Sequence, residues 1–201
     1  MKKSAALLCC LLALSGYLRA NEALSEEAFE VRQQNYKYST LFDFSTPSKY
    51  LGTVVKSYFR VRTNYDLYDS QGNYEANGIC RIFSFRVFHT RGTKIDVYDP
   101  DGCKIGLISG QLFTGASAKF NIENAEGERI AIAYLDKTKA GFTIVHPENQ
   151  NRYFARLIRH FIADTIDHWH VKIYEPLIDP RLIKVFAAFV VDCQGDFKAD
   201  H

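Results

Sequence analysis

What this 201-residue chain lacks narrows its class before any feature is weighed. It has no P-loop, no G-x-S-x-G elbow and no glycine-rich dinucleotide fingerprint, so no local signature points to nucleotide handling or serine-hydrolase chemistry. His89 and His146 stand alone, with no nucleophile near them in sequence. Charge of one sign is not in surplus: 25 Lys and Arg face 23 Asp and Glu, which leaves no global field for nucleic acid. No apolar run approaches the roughly 20 residues that an α-helix needs to cross a bilayer. Cysteine is sparse, at five residues.

The first twenty residues read as a signal peptide. Lys2 and Lys3 form the basic start and Ala5 to Leu14 (AALLCCLLAL) the apolar centre, too short to span a bilayer. Cleavage is placed after Ala20, with a cut after Ser15, which has Ala13 at −3, as the alternative. Leu8, ahead of Cys9 and Cys10, stands where a lipoprotein signal needs a small residue, so no lipid anchor is expected. Lys2, Lys3 and Arg19 leave with this leader and no acid does, so the formal charge of +2 becomes −1 in the mature chain. Export implies an oxidising compartment, periplasmic or extracellular. Cys80, Cys103 and Cys193 remain, an odd number that allows at most one internal bridge. Cysteines on strands are commonly small buried apolar residues. A Cys80–Cys103 disulfide is the alternative.

Residues 21–35 (NEALSEEAFEVRQQN) read as a short helical arm: Ser25 can cap it, Glu26 and Glu27 suit the positive helix end, and Leu24, Ala28 and Val31 give a weak stripe. From Tyr36 the texture changes to aromatic and β-branched runs cut by turn residues. "VVKSYFRV" reads as a strand with Val55, Ser57, Phe59 and Val61 on one face and Lys56, Tyr58, Arg60 and Arg62 on the other. "YDLYDSQGNY" is a strand running into a turn at Asp69–Gly72, and "ICRIFSFRVFH" is a buried or bulged strand. "KIDVYDPDGCKIGLIS" is a hairpin in which Ile95 and Val97 alternate on one arm and Cys103, Ile105 and Leu107 on the other. "AKFNIENAEGERIAIAYL" repeats the plan with Ala118, Phe120 and Ile122, then Ile130, Ile132 and Tyr134; "GFTIVHPENQNRYFARLI" repeats it again. The spacing predicts an antiparallel meander of eight to twelve strands. "DHWHVKIYE" closes it, with Trp169, Val171 and Ile173 opposite His168, His170, Lys172 and Tyr174.

The period then switches. Asp179 is a good N-cap, Pro180 suits the first helical position, and Gly195 can end the helix. A 13-residue helix is only about 20 Å long, against a hydrocarbon core of about 30 Å. "PRLIKVFAAFVVD" is apolar nearly all round, so it does not suit a surface either. Burial on all sides remains. Seven large side chains at about 2 kcal/mol each give on the order of 14 kcal/mol, an upper estimate.

Hairpins with turns of the "D-x-x-G" type, followed by an aspartate-capped apolar helix, are an uncommon order of parts. In "YDLYDSQGN", "VYDPDGCKIG", "IENAEGERIA" and "DHWHVKIYEPLIDPRLIKVFAAFVVD" the chain resembles the tubby-like superfamily, which joins tubby C-terminal domains, LURP-one-related proteins and phospholipid scramblases. The resemblance covers 36–193. It implies a mainly β fold: a closed antiparallel barrel of about twelve strands around a central helix over 180–192, preceded by the arm and followed by a tail over 194–201. Most relatives are intracellular, and this chain carries no acidic loop or cysteine cluster like those ascribed to scramblases, so neither activity carries over by motif.

Three groups are candidates for a site. Arginine matches phosphate through its planar fork. Arg60 and Arg62 are expected on one strand face, Arg152 and Arg156 on another, with Arg159 and Lys172 near in sequence. Together they would bind an anion or lipid head group; otherwise they are solubilising charge on strand exteriors. Arg181 and Lys184 would line a barrel mouth, either reaching water or binding an anion. His168 and His170 share a strand face, and with His160 and Asp164 (and Asp167 nearby) they compose the metal alternative, the competing reading being a solvated face. The expectation is an exported, non-catalytic binding or scaffold protein that needs no cofactor, acting on membrane lipid or another envelope protein. The alternative is an enzyme or metal-binding protein that uses the 160–170 segment.

Overall fold

A computed structural model describes residues 28–83, 93–113, 117–136, 141–162 and 165–194. Twelve antiparallel strands form one closed barrel: β1 (Ala28–Asn35), β2 (Ser39–Ser45), β3 (Tyr50–Ser57), β4 (Arg62–Asp69), β5 (Tyr74–Phe83), β6 (Thr93–Tyr98), β7 (Lys104–Phe113), β8 (Ser117–Asn124), β9 (Arg129–Asp136), β10 (Gly141–Val145), β11 (Tyr153–Ile162) and β12 (Thr165–Ile173). Each strand pairs with its sequence neighbours. The ring closes where β1 meets β12, with Phe29 opposite Val171 and Val31 opposite Trp169.

Turn chemistry explains the short connections. At Asp69–Asn73, Asp99–Cys103 and Asn124–Glu128 the same template recurs. The first residue exchanges backbone hydrogen bonds with the fifth and fourth, and its side-chain oxygen takes the N–H of the fifth at 2.7–2.8 Å. Gly72, Gly102 and Gly127 occupy the fourth position at φ 84°, 80° and 85°, a region that costs glycine little.

The bore is filled by α1 (Pro180–Asp192). Asp179 caps it by accepting the Arg181 N–H at 2.9 Å, and Pro180 begins the first turn as expected. Ile183, Val185, Phe186, Ala187, Ala188 and Val190 are completely buried. Phe186 and Phe189 pack edge-on against Phe120 at 5.7 and 5.4 Å, and Phe186 meets Phe142 at 5.6 Å. The strands close in where they carry no side chain. A Cβ on Gly78 would lie 2.7 Å from Val185 Cγ1, and one on Gly106 3.1 Å from Leu182 Cδ1. Among the described residues no helix is long and apolar enough to cross a membrane.

Several expectations are corrected. Ala28–Asn35, the second half of the expected helical arm, is strand β1, so the barrel starts at Ala28 rather than at 36. Phe29 and Val31 alternate into the core, and pairing with both β2 and β12 outweighs the weak helical stripe. Residues 58–61 form the β3–β4 turn, leaving Phe59 and Val61 exposed, and in the preceding strand the inward phase runs through Val54 rather than Val55. In β7 the inward phase is Gly106 and Ile108, not Ile105 and Leu107; in β9 it is Ala131 and Ala133, not Ile130 and Ile132. Cys193 stands at the helix C-cap, its N–H bonded to the Phe189 carbonyl. Residues 1–27, Asp164 and Gly195 lie outside the described residues, and with them the leader, the first half of the arm and most of the tail.

Candidate functional site

Because the helix occupies the bore, polar chemistry is displaced to the barrel's two ends and its outer wall. At the end where α1 enters, Lys184 is 5% exposed and its Nζ reaches Glu75 Oε2 at 3.4 Å. A lone buried ammonium would be costly, and the rim carboxylate offsets that cost. Arg181 grips Asp179 through Nε and Nη2, at 3.1 and 2.7 Å, and this hydrogen-bonded pairing raises its already high pKa. Both cations expected at a mouth therefore hold carboxylates of the chain itself.

At the exit end Lys56 projects inward from β3 and binds Asp192 with both carboxylate oxygens, at 2.8 and 2.6 Å. Tyr65 donates its hydroxyl to the same carboxylate at 2.8 Å. Burial first, and then the Asp192 charge, pushes the Tyr65 hydroxyl far above its usual pKa, which fixes it as a donor. Cys80 lies near this group, and burial pushes its thiol up to about 12. Beside it, Trp169 Nε1 donates to Gln194 at 2.9 Å, and Gln194 donates to Gln33 at 3.0 Å. These contacts tie the helix end to β1, β3, β4 and β12. Of these partners only Lys56 and Trp169 belong to a strand alternation legible in the sequence, because the group assembles from residues as much as 161 positions apart.

The eight expected cations do not converge. Arg60 lies in the β3–β4 turn rather than on a strand face, paired with Asp66 at 2.8 Å, and Arg62 starts β4. Arg152 lies in the turn before β11, paired with Glu175 at 2.6 Å, so it does not share a strand face with Arg156. Arg156 points outward and binds Asp136 at 2.8 Å; Lys172 is its cross-strand neighbour, with Nζ 5.2 Å from the Tyr174 ring. Arg159 turns inward instead and lies over the Trp169 ring at 5.5 Å, its pKa lowered by burial. Three strands, β3, β2 and β1, lie between Arg62 on β4 and β12. The cations thus divide into an exit-end group, a wall pair and an entry-end group.

The histidines do meet in part. His160 and His168 stack across β11 and β12 with ring centroids 4.5 Å apart, and His168 Nε2 lies 3.7 Å from Glu30. His170 sits one pleat further along the same outer face, opposite Glu30 and Ile158. Among the described residues no group of three or more His, Cys, Asp or Glu is placed to hold a metal. Among the described residues no disulfide forms: Cys103 is exposed on a turn, whereas Cys80 is buried on β5 and Cys193 at the helix end.

A scan against models of known protein families finds no match, and neither does a comparison with curated proteins.

Proposed function

We propose that the protein is an exported, non-catalytic binding or scaffold module of the tubby-like kind, acting through its outer surface on anionic lipid of the cell envelope. The filled bore carries this reading. Phe186, Ala187, Ala188 and Val190 occupy the space that barrels with an internal ligand leave open, so a partner is met from outside. On that outside the chain presents arginines at both rims and on the wall, a side chain suited to lipid phosphate. The tubby-like resemblance is supported by the order of parts, a twelve-strand meander followed by an aspartate-capped central helix. Cosedimentation of the purified protein with phosphatidylglycerol and with phosphatidylcholine vesicles tests the reading. Binding to the anionic vesicles that weakens with salt is expected. Equal, negligible binding to both removes it.

A further inference from the structure

Two neighbouring hairpins at the exit end expose apolar side chains that the core does not use. The β1–β2 turn carries Tyr36 and Tyr38, each 53% exposed, and the β3–β4 turn carries Tyr58 at 51%, Phe59 at 78% and Val61 at 76%. They form one platform rather than separate tips. The Tyr58 N–H donates to the Tyr38 carbonyl at 3.2 Å, the Tyr58 hydroxyl meets Thr40 Oγ1 at 2.5 Å, and the Tyr38 and Phe59 rings lie 5.2 Å apart. A contiguous exposed patch of this kind marks an interaction surface, whereas single exposed apolar residues do not.

The charge of the platform selects its partner. Residues 36–41 and 56–62 contain Lys37, Lys56, Arg60 and Arg62 and no Asp or Glu. Lys37 lies 5.1 Å from the Tyr38 ring centroid and Lys56 5.9 Å from that of Tyr58. The carboxylates that approach from below are sheltered. Asp66 is 6% exposed beneath an Arg60 that is 44% exposed, and Asp192 is 13% exposed behind Lys56. The opposite end has exposed aromatics too, but its turns "DSQGN", "DPDGC" and "NAEGE" are acidic. Among the described turns, the basic and aromatic β1–β2 and β3–β4 tips thus lie at one end of the barrel and these three acidic turns at the other. A second copy docked tip to tip would set the exposed Lys37 and Arg60 of one copy against those of the other, like charge on like charge, which disfavours a dimer there.

The geometry points to this platform as the face that meets an anionic lipid surface, and the inference rests on the lipid reading above. Phe59 and Val61 enter the boundary between head groups and acyl chains. The tyrosines sit at head-group level with their hydroxyls in water, as amphipathic rings do. Lys37, Arg60 and Arg62 meet the lipid phosphates, and an open hollow of about 450 Å³ beside Tyr36, Lys37, Tyr38, Ser39 and Leu41 gives a head group room.

The test uses protein purified from cells expressing the full sequence, with phosphatidylglycerol and phosphatidylcholine vesicles. The pair Phe59→Ala and Val61→Ser should weaken binding to anionic vesicles by about tenfold or more. Lys37→Glu should weaken it by about fivefold or more. The pair Tyr174→Ala and Leu177→Ala, exposed at the other end, should leave it unchanged. An environment-sensitive thiol dye provides a second measurement that does not depend on weakened binding. On Phe59→Cys in a Cys103→Ser background it should shift to the blue with anionic vesicles, and on native Cys103 it should not. Wild-type binding with unaffected tip variants and no dye shift at position 59 overturns the platform and leaves the lipid reading standing; a protein partner would then be the occupant to seek. No binding of the wild type to either vesicle removes both.

Discussion

Gly78 and Val185 offer the sharpest test of whether the helix is seated in the bore as described. Gly78 is the point on β5 where the wall has no side chain, and a Cβ there would sit 2.7 Å from Val185 Cγ1, 3.2 Å from Ile95 Cγ2 and 3.5 Å from Tyr65 Cβ. Val185 cannot swing aside cheaply, because a β-branched side chain in a helix holds essentially one χ1 rotamer. Gly78→Ala should therefore overpack the core at a cost of about 1–3 kcal/mol, reduced by roughly 0.5–1 kcal/mol because alanine restricts the unfolded chain. Val185→Ala removes two buried methyl groups and should cost about 2 kcal/mol. In the double variant the new Cβ occupies part of the space Val185 vacates. Its loss should fall short of the sum by about 1–2 kcal/mol, a coupling well above the roughly 0.3–0.5 kcal/mol within which independent sites add. Urea denaturation of the four proteins measures the cycle, and m should stay constant. Additive losses, or a stabilising Gly78→Ala alone, would show that Val185 does not face Gly78 and would refute the seating of the helix.

Other outcomes follow from the same contacts. Glu75→Ala should destabilise by about 1–2 kcal/mol because Lys184 is left buried without its carboxylate, whereas Lys184→Met should be neutral or stabilising; thermal denaturation of both distinguishes a strut from a replaceable cation. Iodoacetamide at pH 8 should modify Cys103 in the folded protein while Cys80, with its thiol near 12, and Cys193 react only after unfolding, as peptide mass mapping would show. Arg81 donates to Asp96 at 2.5 and 2.7 Å, with Lys104 at 3.2 Å, and these contacts hold the Asp96 carboxyl below its ordinary value of 3.8. A carboxyl depressed by folding contributes stability that is complete above the unfolded pKa and lost as pH falls through the folded one. Asp96→Asn should thus cost about 0.5–1 kcal/mol at pH 7, given the half-exposed Arg81, and its denaturation curve should converge on the wild type's in acid.

Features set by neighbours along the chain are legible in the amino-acid order alone. Asp179 and Pro180 place the helix start because capping involves residues two apart, and glycine four residues into a turn places the hairpins because only local dihedrals are at stake. The helix's length and all-round apolarity already required burial on every side. Which residues look inward where helix and wall come close depends on packing between distant segments. Hydropathy favoured Ile130 and Ile132 in β9 and Ile105 and Leu107 in β7, but the bore takes Ala131, Ala133 and Gly106, because a helix in the centre leaves room only for small side chains there. Residues 28–35 became a strand for a similar reason: a meander of eleven strands has two open edges, and the weak helical stripe of Ala28 and Val31 cannot compete with the hydrogen bonds that close them. The candidate cations were legible as residues and not as a site. Arg60 and Arg62 came to share an end of the barrel with Lys37, Tyr38 and Phe59 through the pairing of β2 with β3, a juxtaposition of segments some twenty residues apart that no periodicity within either one encodes.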